Sequence, residues 1–370
     1  MRVVVWAREA MRILLVTNEG RGRYAGRRFE WLGMDLTYSS FTFEALVRFR
    51  DAPDARPVIH RQALERALEE LEAFDGVVAE EPETVLLEYV RRRRGLARKR
   101  WLVNTVQLFR RAGPLRELIR AHYGEDPLAV VAADPSLHWI VTTSAHREQL
   151  TALGVPDERS SYIPTTSAIQ TGFFPDSTPA FVAGRRAALP QTLESLRGQV
   201  LLAGTNHRDL PTLARAAALL PAPVHVLTDL ERNQRVESPH LRYHGLVPLD
   251  TFIGAVAHAG VLVLPLLPTT ESCGQQTLAA AQRVGTLVVA SDVPALRDYI
   301  EDGRSGFLVR PDDAEALALG IERALAHRDD ESIIAAGRAR DERDAQRIIE
   351  LMHRVFAGDG GRLESARASG

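Results

Sequence analysis

The chain has 370 residues, 45% of them hydrophobic and 25% charged, with a formal net charge of −2 at pH 7. That length suits two domain cores, and the composition is that of an ordinary folded protein. The near-neutral charge excludes a general nucleic-acid coat, which is strongly basic.

In chain order, Met11 to Thr17, "MRILLVT", is a short apolar run of the kind that makes a buried parallel strand. The residues before it read as an add-on, with an apolar patch too brief for a signal-peptide core. "GVVAE" (Gly76 to Glu80), "RWLVNTV" (Arg100 to Val106) and "LHWIVTTS" (Leu137 to Ser144) are further strands, and "RQALERALEELEAF" (Arg61 to Phe74) has apolar residues at helical spacing. Alternating strands and helices imply a parallel sheet with right-handed crossovers. "RRRRGLARKR" (Arg91 to Arg100) is the most basic run. It reads either as a solvated, arginine-rich helix end or as a patch for an anionic acceptor or an acidic membrane surface. Lys99 within it is the only lysine of the chain, so a bound anion must be held by arginine, by backbone N–H groups or by neutral side chains.

The stretch Ser161 to Pro179, "SYIPTTSAIQTGFFPDSTP", breaks the rhythm with Pro, Ser, Thr and Gly and reads as an interdomain linker. A second alternation follows. "GQVLLAG", "PVHVLTD", "GVLVLPL", "TLVVASD" and "GFLVRP" are strands, and "DLPTLARAAALL" is a helix that begins near Asp209. "GVLVLPLLP" is far too short to span a membrane and is broken by Pro265. Asp330 to Phe356 is helical. Cys273 is the only cysteine, so no internal disulfide is available and a reducing cytoplasm is the default compartment. The histidines show no metal-ligand spacing.

"ESCGQQTLAAAQRVGTLVVAS" (Glu271 to Ser291) joins a small polar loop to an alanine-rich helix and a strand. A loop of this kind is either a capped helix start in a packed domain or a phosphate cradle. As a cradle, Gly274 lets the chain approach a ligand, and the N–H groups of Gln275, Gln276 and Thr277 meet it with the helix dipole behind them. On that reading a side chain at Gly274 intrudes on the ligand, while the unliganded fold keeps its stability.

Taken together, several segments resemble the retaining nucleotide-sugar glycosyltransferases of the GT-B fold, glycosyl transferases group 1. They are "LGVPDERSSYIPTTSAIQTGFFP" (Leu153 to Pro175), "AGTNHRDLPTLARAAALL" (Ala203 to Leu220) and the long run from His244 to Leu325. The resemblance is strong in the second half and weak in the first. It implies an α/β protein of two doubly wound Rossmann-like domains facing across a cleft. The expected divisions are an acceptor-side domain over 1–170, a donor domain over 171–345, a C-terminal helix over 346–357 that crosses back to the first domain, and a disordered tail over 358–370.

The same resemblance assigns roles. Arg208 stands where the family carries a phosphate-binding lysine, and a guanidinium can do that work with bidentate geometry. Glu271 is within one residue of the first family glutamate, near the sugar, with Ser272 beside it. The second, which accepts from the ribose, falls on Ala280, leaving Gln276 as a substitute. Gln107 lies about where many members carry a histidine; it can orient a hydroxyl but is no base at neutral pH. Asn18, in the turn "TNEGRGRYAG", offers a hydrogen-bonding group, and "TTSAIQ" lacks the usual aspartate.

The implied function is transfer of a hexose from a UDP- or GDP-sugar to an unidentified acceptor, with retention, at the cytoplasmic side and without metal or other cofactor. A peripheral membrane contact and the oligomeric state stay open. Two alternatives remain. One is a catalytically impaired GT-B scaffold or binding subunit, favoured by Ala280, Gln107 and "TTSAIQ". The other is a nucleotide-sugar epimerase or a phosphorylase. A pyridoxal phosphorylase needs a Schiff-base lysine, and Lys99 sits in a basic run, a poor place for one.

Overall fold

The computed structural model describes residues 11–16, 26–31, 34–41, 47–48, 58–79, 82–104, 120–121, 123–132, 134–165, 178–184, 188–229, 235–269 and 273–357. The chain divides into two compact units, residues 1–163 with 347–370, and residues 164–346.

The first unit holds a seven-stranded sheet. Its strands are β1 (Arg12–Val16), β2 (Arg28–Trp31), β3 (Met34–Tyr38), β6 (Gly76–Ala79), β7 (Arg100–Asn104), β8 (Leu137–Val141) and β9 (Ser160–Tyr162), in the order β2-β3-β1-β6-β7-β8-β9. Every pairing is parallel except β2 with β3. β4 (Val47–Arg48) and β5 (Val58–Ile59) form a separate antiparallel ribbon. Among the described residues the helices are α1 (Arg61–Glu72), α2 (Leu86–Arg93), α3 (Pro127–Ala132) and α4 (Ser144–Ala152). Ile13 to Val16 are fully buried, as strands covered by helices on both faces must be. The hairpin of β2 and β3 was not anticipated from the sequence. Its short, charge-bearing strands carry no continuous apolar run to announce them.

The second unit is a six-stranded, wholly parallel sheet. Its strands are β10 (Val200–Ala203), β11 (Val224–Leu227), β12 (Leu241–Tyr243), β13 (Val261–Leu264), β14 (Val288–Ser291) and β15 (Phe307–Val309), in the order β12-β11-β10-β13-β14-β15. Around it lie α5 (Thr178–Ala183), α6 (Leu210–Ala217), α7 (Leu249–His258), α8 (Gln275–Val284), α9 (Pro294–Arg297), α10 (Ala314–Ala326) and α11 (Glu331–Ala357). Alternation along the strands sorts the core into two layers. Leu201, Ala203, Leu262 and Leu264 join one cluster, and Val200, Leu202, Val261 and Val263 join the other. Strand order reverses at β10 and β13, so a crevice opens beyond their carboxyl ends, where ligands of such sheets bind.

α11 runs unbroken for 27 residues and belongs to both units, changing over at Gln346 and Arg347. In its last turns Ile348, Leu351, Met352 and Phe356 are buried on one stripe. The Phe356 ring fills the space beside Gly76, where an added Cβ would lie 2.6 and 2.7 Å from ring carbons. Arg100 Nη1 donates to the Phe356 carbonyl at 2.5 Å, and Arg347 Nη2 to the Tyr162 carbonyl at 2.5 Å.

The basic run is an arginine-rich helix end, as one of its two readings has it, and most of its residues from Arg93 on are exposed. Arg91 is fully buried and pairs with Glu72 and Glu88. Arg92 meets Asp134 at 2.9 Å, Arg93 meets Glu125, and Arg94 forks onto Glu65 at 2.6 and 2.7 Å. Lys99 donates to the Phe74 carbonyl at 2.5 Å. The charge of Arg91 to Arg94 is met by carboxylates from within the unit. Its work is to fasten α2 to α1, to α3 and to the loop before β8.

Two outcomes follow from this packing. Gly76→Ala should displace Phe356 and destabilise the fold by about 1–3 kcal/mol, the cost of overpacking, measured by urea unfolding. Glu88 is fully buried, and burial pushes its carboxyl up to about 7 against the hydrogen bond from Trp101 Nε1 at 3.0 Å. A raised value means that the stability is present below the ordinary carboxylate range and drains away as pH rises through 7. Glu88→Gln still accepts from Trp101 and Arg91 but does not ionise. Its melting temperature relative to the parent should therefore improve between about pH 5 and about pH 8; a constant difference would refute the assignment.

Candidate functional site

The site is built from the segments that leave four strands of the second sheet. After β10 the chain turns at Gly204 (φ +97°) and runs through Thr205, Asn206 and His207 to Arg208. Gly204 N–H donates to the Leu227 carbonyl at 3.0 Å, and the Thr228 hydroxyl donates to the Gly204 carbonyl at 2.7 Å, which ties this turn to the end of β11. Arg208 forms an antiparallel bridge with Leu266 in the segment after β13. Asp209 N–H donates to the Pro265 carbonyl at 2.9 Å, and Leu267 N–H to the His207 carbonyl at 3.0 Å. His207 adopts φ 55°, uncommon for a residue with a Cβ. The Ser291 hydroxyl at the end of β14 accepts from Leu266 N–H at 3.0 Å. Asp209 then caps α6, accepting from Thr212 N–H at 3.0 Å.

The strapping puts the Arg208 side chain inside. It is 5% exposed. Nε and Nη2 donate to the Ala203 carbonyl at 3.0 and 2.8 Å, and Nη1 donates to the Asn206 carbonyl at 2.7 Å. Among the described residues no carboxylate pairs with it. Burial lowers its pKa to about 10, which still leaves it charged at neutral pH, and Cys273 lies close enough to oppose that shift slightly.

α8 begins beside this guanidinium. Gly274, at φ +80°, is the N-cap and brings no side chain of its own. The helix therefore places its first-turn amides and the positive end of its dipole next to a buried cation. A Cβ on Gly204 would overlap Arg208 Nη2 and sit 3.0 Å from the Thr277 hydroxyl; one on Gly274 would lie 3.8 Å from Arg208 Nη1. Arg208, Gly274 and Thr277, named from widely separated stretches, are thus brought together.

Other expectations fare differently. The Gln275 side chain is buried and donates to the Ala295 carbonyl at 2.8 Å, so it fastens α8 to α9 and leaves only its N–H for a ligand. Gln276 is exposed on the first turn. Ala280 is fully buried in the cluster of Leu278, Ala281 and Val284. A carboxylate there would sit among apolar side chains. Asn18, Gln107, Glu271 and Ser272 lie outside the described residues. Gly204, Thr228 and Ser291, which frame the site through backbone hydrogen bonds, were missed; only the strand-end glycine in "LLAGTNHRD" hinted at them. Among the described residues no group of three or more His, Cys, Asp or Glu side chains could hold a metal ion, and no helix is long and apolar enough to cross a membrane.

Chains of known structure share this arrangement over nearly its whole length. A glycosyltransferase from Rickettsia africae superimposes with a TM-score of 0.62 at 13% identity, covering 94% of this chain and 99% of that one. Anabaena Alr3699/HepE, solved in complex with UDP and glucose, gives 0.60 at 14% identity over 92% and 99%. The fold is GT-B. A UDP-forming trehalose-phosphate synthase from Burkholderia xenovorans gives 0.60 at 11% over 94% and 99%. Residues 225–327 match the family model described as glycosyl transferases group 1. A phosphatidyl-myo-inositol mannosyltransferase of Mycolicibacterium smegmatis is 42% identical over 82 residues, which is 22% of this chain and 21% of that relative. The matched family segment includes β11 to β15 and α8, and so the GT-B elements that carry Gly274 and Thr277.

Gly274 needs correction in one respect. The space for a Cβ exists, since Leu296 Cδ2 and Leu266 Cδ1 would be at 3.5 and 3.6 Å. The left-handed backbone strains any side chain there, with or without a ligand. Gly274→Ala should therefore destabilise the unliganded protein by about 1–2 kcal/mol, and Gly274→Val by more, against the unchanged melting temperature expected from sequence. Thermal unfolding without ligand decides between them.

Proposed function

We propose that the chain is a glycosyltransferase that moves a hexose from a UDP- or GDP-sugar to an acceptor, with retention of configuration. The observation that carries this reading is the buried Arg208 guanidinium, which has no carboxylate partner among the described residues and lies beside the start of α8. Desolvating a cation without a counter-ion is costly, and an anionic ligand offsets that cost. The position beyond the strand ends, the glycosyl transferases group 1 segment and the relatives named above all support a nucleoside diphosphate as that anion.

On this reading the diphosphate receives hydrogen bonds from Arg208 and from the N–H groups of Gln275, Gln276 and Thr277. As the sugar–phosphate bond breaks, negative charge grows on the diphosphate, and these preorganised donors stabilise it, typically the largest single contribution in such sites. A phosphate oxygen takes the acceptor hydroxyl's proton, so no protein nucleophile is required. Glu271 and Gln107 are assigned to the sugar hydroxyls. No metal or cofactor enters the scheme.

Titration calorimetry with UDP and with GDP tests the reading. Arg208→Gln should weaken binding by about 1.5–3 kcal/mol, the range for charged hydrogen bonds, while Arg208→Lys, which keeps the charge but not the fork, should fall between. Equal affinity in parent and Arg208→Gln would remove the assignment.

A further inference from the structure

α8 is held at both ends. Its first turn meets Arg208, and its last turn is bonded to α11. Gln282, 3% exposed, accepts from Arg340 Nε at 2.8 Å and donates to the Tyr299 carbonyl at 3.2 Å. Arg283 meets Glu342 at 2.9 Å. Gly337 of α11 leaves room for the Gln282 side chain, since a Cβ there would lie 3.1 Å from Gln282 Cγ. Arg340, itself buried, pairs with Asp344 at 3.2 Å and lies over the Tyr299 ring at 4.9 Å. The Tyr299 hydroxyl accepts from Thr165 N–H at 2.9 Å, two residues past the boundary at Ile163 and Pro164. A buried amide bonded at both its oxygen and its nitrogen therefore links the helix that opens at the anion loop to the helix that changes units.

We propose that Gln282 is a positioning residue that joins the anion loop to the unit-spanning helix. A diphosphate held at the loop restrains α8, and Gln282 passes that restraint through Arg340 along α11 as far as Phe356. The proposal rests on the donor-diphosphate reading above. A buried hydrogen-bonded link carries such a restraint better than apolar packing, because its geometry is directional and the loss of one partner strands the other. It also accounts for a polar pair in a place where leucine and methionine would pack without cost.

Hydrogen exchange with and without UDP, repeated with GDP, tests it on the full chain. In the parent, nucleotide should slow exchange at residues 275–278 and also at residues 347–357. In Gln282→Met, protection at 275–278 should persist, protection at 347–357 should vanish, and affinity should fall by about fivefold or more, the usual scale of coupling. Gln282→Glu, which still accepts from Arg340, should restore the distant protection. If Gln282→Met lowers only the melting temperature and leaves both protections in place, Gln282 is merely structural and the proposal fails. Protection in the parent confined to 275–278 overturns the coupling alone. No protection at 275–278 with either nucleotide overturns the donor reading and the coupling with it.

Discussion

The second unit is organised around one buried positive charge. A guanidinium at 5% exposure must have its N–H groups satisfied and its charge offset. The first demand is met by the Ala203 and Asn206 carbonyls, and it dictates the backbone around them. Gly204 turns in a region closed to most residues and leaves space for the guanidinium. Thr228 and Ser291 hold neighbouring segments in register, and the Arg208–Leu266 bridge locks two strand ends together. The second demand is met by no carboxylate among the described residues, and the positive end of the α8 dipole adds to it. Rigid donors beside such a charge suit an anion without further rearrangement.

The same use of arginine recurs across the molecule. Arg91 donates to the Ala97 carbonyl, Arg100 to Phe356 and Arg347 to Tyr162. In each case a planar, multiply donating group closes a backbone end that would otherwise face solvent or the interior unpaired. A chain with one lysine thus uses arginine as a carbonyl clamp as well as a charge. The run from Arg91 to Arg94 contributes to stability through fixed pairs, the buried ones worth more than the exposed ones.

Much of this was legible in the sequence, and the reason is local. The strands of the second sheet are continuous apolar runs because both faces are covered, so they stand out by composition alone. The Gly274 loop was readable because strand-end loops of doubly wound sheets have a fixed place in the topology, and Arg208 because it falls where the resembled family carries a phosphate-binding lysine. What could not be read was the direction of side chains along α8. Gln275 and Ala280 look exposed to function in a string of letters, yet both are turned inward by the phase of the helix against α9 and the core. The pairing of the basic run was hidden as well, because Glu65, Glu125 and Asp134 lie 29 to 42 positions away from their arginines. Charge along a sequence says nothing of charge in space until the fold is known.

The wedge of Phe356 beside Gly76 has a consequence for the birth of the protein. The first unit is discontinuous, its main body ending at Ile163 and its closing segment beginning at Arg347. A ribosome adding roughly 5–20 residues per second needs on the order of ten to forty seconds to make what lies between. Throughout that interval the apolar slot beside β6 is open, and the whole second unit has time to fold before its partner is complete. Translation thus lets the second unit fold before the segment that closes the first, and it leaves the place beside Gly76 uncovered until Phe356 is made.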